Sequence, residues 1–167
     1  MSTLTPPRAE PDLSFLLSHT SHVLNTRLTA ALAEIDMTVR GHCVLIHALP
    51  GELTQIELAK LSDLDKTTMV VTLDELEAAG LAERRPAATD RRARIVIVTD
   101  QGRRVAAAGE QIVDRVHGEV LAALPPGDRD IFKNALIQLA GGYLATPEAG
   151  ERPVRRPRQS RSRSQAG

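Results

Sequence analysis

DLDKTTMVVTLDELEAAGL, residues 63–81, reads as one short helix with a marked start, a buried side and a stop. Asp65 is a good N-cap, because its carboxylate can accept from the amides left free in the first turn. Met69, Leu73 and Leu76 follow at i, i+4 and i+7, the spacing of a stripe facing a core. Gly80 is a natural C-terminal stop. Just upstream, Thr54 caps QIELAKLS, Glu57 three residues on completes a capping box, and Leu58 and Leu61 are expected to give this helix its buried side. Two short helices joined through SDL make a helix-turn-helix candidate.

Straight after Gly80, LAERR (81–85) and RIVIVT (94–99) read as two strands. The segment between them, about eight residues with Pro86 and Asp90, is too long for a two-residue hairpin turn. Helix, turn, helix and then a hairpin with a long charged loop is the order of a winged helix. Outward from this unit, apolar residues from Leu13 to Ile35 form one stripe of a long helix starting at Asp12. A shorter helix runs from Thr38 as N-cap through Val44, Leu45 and Ala48 to Pro50-Gly51. Beyond Thr99 a helix continues from Asp100 to about Ala123, where Pro125-Pro126 breaks it. A last helix carries Ile131, Phe132, Ala135, Leu136, Leu139 and Tyr143 on one side.

The expected fold class is mainly α with a small β-hairpin wing: a winged helix-turn-helix flanked by dimerisation helices. Residues 1–11 would be a flexible arm, 12–37 an N-terminal dimerisation helix, 38–99 the winged helix-turn-helix, 100–146 C-terminal dimerisation helices, and 147–167 a disordered Arg-rich tail. The three outer helices carry more apolar surface than a small domain needs, which a two-fold dimer would cover.

The formal net charge is zero, yet the charges are segregated. Residues 151–167 hold six Arg against one Glu, so the other 150 carry 15 basic and 20 acidic residues. Inside that acidic remainder, seven Arg (84, 85, 91, 92, 94, 103, 104) face only Asp90 and Asp100 between residues 84 and 104. Such a cluster suits a focused anion site. The tail, rich in Arg, Ser and Pro, has too little apolar content to offset the entropy of folding. It is either a solvated end or an arm adding phosphate contacts. No apolar run approaches a membrane span, and the first dozen residues lack the apolar centre of a secretion signal. A cytoplasmic, nucleoid-associated location without membrane contact is the expectation, and the lone Cys43 agrees with a reducing compartment.

Residues 52–102, with the Leu58-Ala59 pair, LEAAGLAER (76–84) and the Asp90-x-Arg92 element, resemble the DNA-binding core of the MarR family of bacterial transcription regulators. The resemblance extends over roughly residues 12–146. It implies a homodimer on double-stranded DNA, most simply a repressor on an inverted repeat, with each recognition helix in a major groove and each wing in a minor groove. Arg92 would then be the inserted side chain, with Asp90 beside it to hold its direction, and Arg91 and Arg94 would meet phosphates. In the recognition helix, Lys66, Thr67 and Thr68 sit on the first turn, where hydroxyls and helix amides suit phosphate oxygens. Val70 and Val71 leave that face short of hydrogen-bond donors and would read thymine methyls, unless one of them belongs to the core.

The family resemblance also implies a small anionic or phenolic effector between the dimer helices and the winged unit. His19, His42 and His117 lie on segments that could line that junction. With one Tyr, two Phe and no Trp, the chain offers few rings to stack on an aromatic effector, so a ligandless member stays open. No enzyme is expected. Cys43 and the adjacent His42 point about 100° apart on a helix, a poor nucleophile and base, although His47 is also near in sequence. A small buried Cys is the ordinary case. His19 and His22 at i, i+3 lack the further ligands of a zinc signature, so neither metal nor cofactor is expected. A thiol- or metal-responsive sensor, or a winged module that binds only protein, are the competing readings.

Overall fold

The computed structural model describes residues 12–51, 53–87 and 93–146. Up to Ala123 the chain forms one unit; from Leu124 it forms another, whose described helix is taken separately. Helix α1 (Leu13–Leu32) begins at Asp12, whose side chain accepts from the Phe15 amide, and runs into a single 3₁₀ turn, Ala33–Ile35. Asp36 then takes a left-handed conformation (φ 52°) that turns the chain into α2 (Val39–Ala48). Thr38 caps α2 by accepting from the Gly41 amide.

Helix α3 (Gln55–Leu61) carries the expected capping box: Thr54 Oγ1 accepts from the Glu57 amide while the Glu57 carboxylate accepts from the Thr54 amide at 2.7 Å. Helix α4 (Lys66–Ala78) starts at Asp65, and its end is a Schellman motif. Gly80, at φ 69°, donates to Glu77, and Leu81 donates back to Leu76 at 2.9 Å. Glycine takes that left-handed turn without a Cβ penalty, and it aims Leu81 into the core.

Strands β1 (Ala82–Pro86) and β2 (Arg94–Val98) pair antiparallel with Arg84 opposite Val96. The Val96 amide also donates to Leu53, and a bridge joins Thr54 to Ile95, so the entry to α3 is tied to the wing's second strand. Helix α5 (Asp100–Ala122) begins at Thr99, which accepts from Gly102 and donates its hydroxyl to the Gly80 carbonyl.

The core of this unit gathers Leu32 from α1, Val44 and Leu45 from α2, Leu58 from α3, Met69, Leu73 and Leu76 from α4, Val96 and Val98 from β2, and Ala106 from α5. One expectation fails. Leu61 is 55% exposed, because α3 turns Leu58 and Ala59 inward, and Leu61 lies roughly 110° from the middle of that face. In the second unit, α6 (Asp128–Gly141) buries none of its residues: Ile131, Phe132, Leu136, Ile137 and Leu139 all stay exposed. Among the described residues no helix is long and apolar enough to cross a membrane.

Candidate nucleic-acid interface

Helix α4 owes its geometry to its first turn. Asp65 Oδ1 accepts from the Thr68 amide at 2.9 Å, and Oδ2 accepts from the Thr68 hydroxyl at 2.6 Å. These bonds, the hydroxyl's first, hold the Asp65 carboxyl below its ordinary range, so an anion already occupies the helix N-terminus. The Thr68 proton is therefore committed inside the cap. Lys66 and Thr67 are exposed and stay available to a phosphate.

Further along, Met69, Thr72, Leu73 and Leu76 face inward, and Thr72 donates its hydroxyl to the Thr68 carbonyl. Val70 is half-buried, and Val71 is 47% exposed. The outer face thus reads Lys66, Thr67, Val71, Asp74, Glu75 and Ala78: cation, hydroxyl and methyl groups in the first half, carboxylates in the second. Only the first half suits the negative edge of a duplex, since the second would repel phosphates.

The Arg-rich segment behaves less uniformly than its sequence. The Arg84 guanidinium is held by Glu77 and Asp74 of α4, and Arg85 donates to Glu83 at 2.7 Å. Arg103 reaches the Leu49 carbonyl at 3.4 Å. Arg94 is exposed at the end of β2 opposite Pro86, and Arg104 is exposed on α5. Asp90, Arg91 and Arg92 lie outside the described residues. The separate roles expected of them rest on the sequence alone.

The three histidines occupy different surroundings. His42 is buried on α2, with its ring against α5 where a Cβ on Gly109 would lie 2.3 Å from Cδ2. Its Nε2 is buried without a hydrogen-bond partner, and desolvation lowers its pKa, offset in part by the Ala106 carbonyl and by Glu110. His19 is exposed and stacked on Phe15 with ring centroids 5.4 Å apart, and His117 is exposed on α5. An open groove of about 480 Å³ lies where α1 turns into α2, lined by Thr29, Ala33, Asp36, Met37, Thr38, Val39 and Arg40, and it includes none of the three.

Cys43 is half-buried instead of fully enclosed. It lies 3.8 Å from His47 Nδ1, which in turn lies 3.0 Å from the Ser62 hydroxyl. The neighbour that faces the thiol is thus the residue one helical turn on, not His42. Among the described residues no three His, Cys, Asp or Glu side chains gather as a metal site.

The MarR family model matches residues 43–93, which hold α3, α4, β1 and most of α2. Solved structures match far more of the chain. The transcriptional repressor CouR bound to a 23-mer DNA duplex is 27% identical, covers 83% of this chain and 99% of its own, and gives a TM-score of 0.73. The chain is similar to MarR-family winged-helix proteins. CouR from Rhodococcus jostii RHA1 bound to p-coumaroyl-CoA is 28% identical, over 77% of this chain and 92% of that one, with a TM-score of 0.67. The Mycobacterium tuberculosis MarR family protein RV2887 in complex with p-aminosalicylic acid is 27% identical, over 78% of this chain and 99% of that one at a TM-score of 0.65. By this likeness to MarR-family regulators the chain is read as a DNA-binding regulator.

The caps of α2, α3 and α4 and the Gly80 stop are legible in the sequence, but three contacts are not. Arg84 belongs to the seven-Arg cluster expected to form an anion site, yet Glu77 and Arg84 both stand in the LEAAGLAER signature and pair in the structure. Gly102 and Gly109 carry no local signal. Each is needed because another element presses on the backbone there.

Proposed function

We propose that the protein is a homodimeric, sequence-specific transcription regulator, most economically a repressor, that binds an inverted-repeat operator. Each protomer would place the first half of α4 in a major groove and its wing in the adjacent minor groove. The observation that carries this reading is the split face of α4, whose only duplex-compatible part, Lys66, Thr67 and Val71, adjoins the N-terminus that a helix-turn-helix inserts. The likeness to CouR, solved on DNA, supports it. The unburied apolar face of α6, with Leu13, Phe15 and Leu16 at the start of α1, supports association of two copies.

Two copies related by a two-fold axis would set their reading heads about 34–36 Å apart, one turn of duplex. Lys66 and Thr67 would position the helix on phosphates, with Thr68 acting through the cap. Val71, and Val70 at its edge, would touch thymine methyls. Arg92, oriented by Asp90, would enter the minor groove, with Arg91 and Arg94 on the flanking backbone. A small-molecule effector, as in the CouR and RV2887 complexes, would act by binding two spacings of the heads unequally.

Selection of bound sites from random duplexes tests the reading, and an imperfect palindrome is the expected product. Arg92→Ala is then titrated against that site and against random DNA over a salt series. Loss of preference for the selected site, beyond the drop of about one unit in salt slope from one lost phosphate contact, is the expected result. An unchanged titration on both DNAs removes Arg92 from the interface.

A further inference from the structure

Arg84 stands in the most basic stretch of the described chain, yet its polar atoms point inward. Its amide donates to Glu77 Oε1 at 2.6 Å, its Nε donates to Glu77 Oε2 at 2.9 Å, and its Nη2 is shared between Glu77 and Asp74. Backbone and side chain of one residue therefore grip both oxygens of one carboxylate. Glu77 and Asp74 lie on α4, and Arg84 lies in β1, paired with Val96 of β2. Only Ala79, Gly80 and Leu81 separate helix from strand.

We propose that Arg84 is a positioning residue that braces the wing against the recognition helix, and that it makes no phosphate contact. The inference rests on the DNA-binding reading above and adds a role to residues that reading does not use. The charge balance argues for it. One guanidinium faces two carboxylates, so the cluster is anionic overall, and a phosphate brought to it would meet repulsion and would have to displace bonds of 3 Å or less. The Arg84 side chain is only 24% exposed, whereas Arg85, next to it in sequence, keeps 61%. Arg84 and Glu77 shift each other's ionisation in opposite senses, each stabilising the other's charged form.

The functional consequence is geometric. A helix in one groove and a wing in the next act as two linked binding modules, and a stiff link makes the second contact follow from the first. With the brace cut, each module still meets phosphates but the two no longer arrive in register. Operator binding should suffer, and binding to random DNA should not.

The test compares wild type, Arg84→Ala and Glu77→Gln on the selected operator and on random duplex across a salt series. Operator affinity should fall on the order of ten-fold in both variants, within the range usual for coupling between sites. Random-DNA affinity and the salt slope should stay as in wild type. A slope reduced by about 0.9 in Arg84→Ala, with weaker random-DNA binding, would make Arg84 a phosphate contact and overturn the proposal. Tighter random-DNA binding by Glu77→Gln would show a cation set free and overturn it equally, as would unchanged operator affinity in both variants. The charge exchange Glu77→Arg with Arg84→Glu should recover part of the lost affinity.

A readout on the free protein separates this inference from the DNA-binding reading. Amide exchange of Arg84, Arg85 and Val96 should quicken in Glu77→Gln while Leu45 and Leu73 keep their protection. Equal exchange in both proteins rejects the brace. If wild type binds no duplex at low salt, the DNA reading falls and the exchange data alone decide whether the brace exists. Where Arg84→Ala does not fold, Arg84→Lys, which keeps the charge and loses the fork, takes its place.

Discussion

In the winged unit Leu45, Leu58, Met69 and Leu73 have no exposure to solvent, whereas along α6 Ile131 keeps 67%, Ile137 65% and Phe132 44%. Both regions are built from helices with apolar stripes. The first completes its core within one chain, so its hydrophobic free energy is realised by folding alone. The second leaves its apolar surface exposed in the single chain, and in the homodimer proposed above association would supply that free energy by removing the surface from water. Stability and assembly are therefore separable by mutation.

The largest expected effect falls on assembly. Ile131→Glu together with Phe132→Glu should turn a dimer into a monomer by sedimentation. Operator affinity should fall at least about 100-fold, since two half-sites held together gain that much from linkage. The unfolding free energy of the winged unit should move by no more than about 0.5 kcal/mol, as for surface changes. An unchanged sedimentation coefficient would leave the exposed face of α6 without its partner and break the contrast.

The converse substitution lies in the closed region. Leu73→Ala, at a fully buried position, should cost about 2–5 kcal/mol in urea unfolding while the folded fraction keeps its sedimentation. A cost below about 1 kcal/mol would mean that the core is looser than its burial indicates.

Within α5 the same contrast recurs between two glycines. A Cβ on Gly102 would lie 2.0 Å from the Leu81 carbonyl oxygen, a backbone atom that cannot swing aside, whereas Gly118 has no atom of another residue near its added Cβ. Gly102→Ala should destabilise by about 1–3 kcal/mol. Gly118→Ala should stabilise by about 0.4–1 kcal/mol, because alanine loses less chain entropy in a helix. Equal effects would show that the approach of α5 to the α4–β1 turn is not tight.

These glycines also show what a sequence makes legible. Thr38, Thr54, Asp65, Thr99 and Gly80 act on groups within three or four residues, so the spacing of their partners along the chain reveals them. Gly102 and Gly109 serve contacts with Leu81 and His42, at separations of 21 and 67 residues that no periodicity encodes. Leu61 was misplaced because an i, i+3 spacing from Leu58 fixes a stripe only to within its width, and a seven-residue helix is too short to centre it. For the interface, the exposed face of α4 could be read from helical phase. The fate of each arginine could not, since charge counts do not say which guanidinium has a carboxylate waiting on another element, as Arg84 has in Glu77.

The smallest effect is a dependence on pH, and it belongs to the closed region because burial causes it. His42 has its pKa lowered from 6.5 chiefly by desolvation, with its Nε2 unpartnered against α5. Between 6.5 and that lower folded value the unfolded chain binds more protons than the folded one, so stability is full above about 6.5 and declines as the pH falls below it. Glu77 behaves differently: its carboxyl is lowered from 4.5 by Arg84, so its contribution persists through this range and fades only in more acidic solution. Urea midpoints should thus drop in a first step just below 6.5 and again below 4.5. His42→Leu should flatten the first step alone and Glu77→Gln should diminish the second alone. A first step that survived His42→Leu would assign it to another group and strip the α2–α5 contact of its part in the pH response.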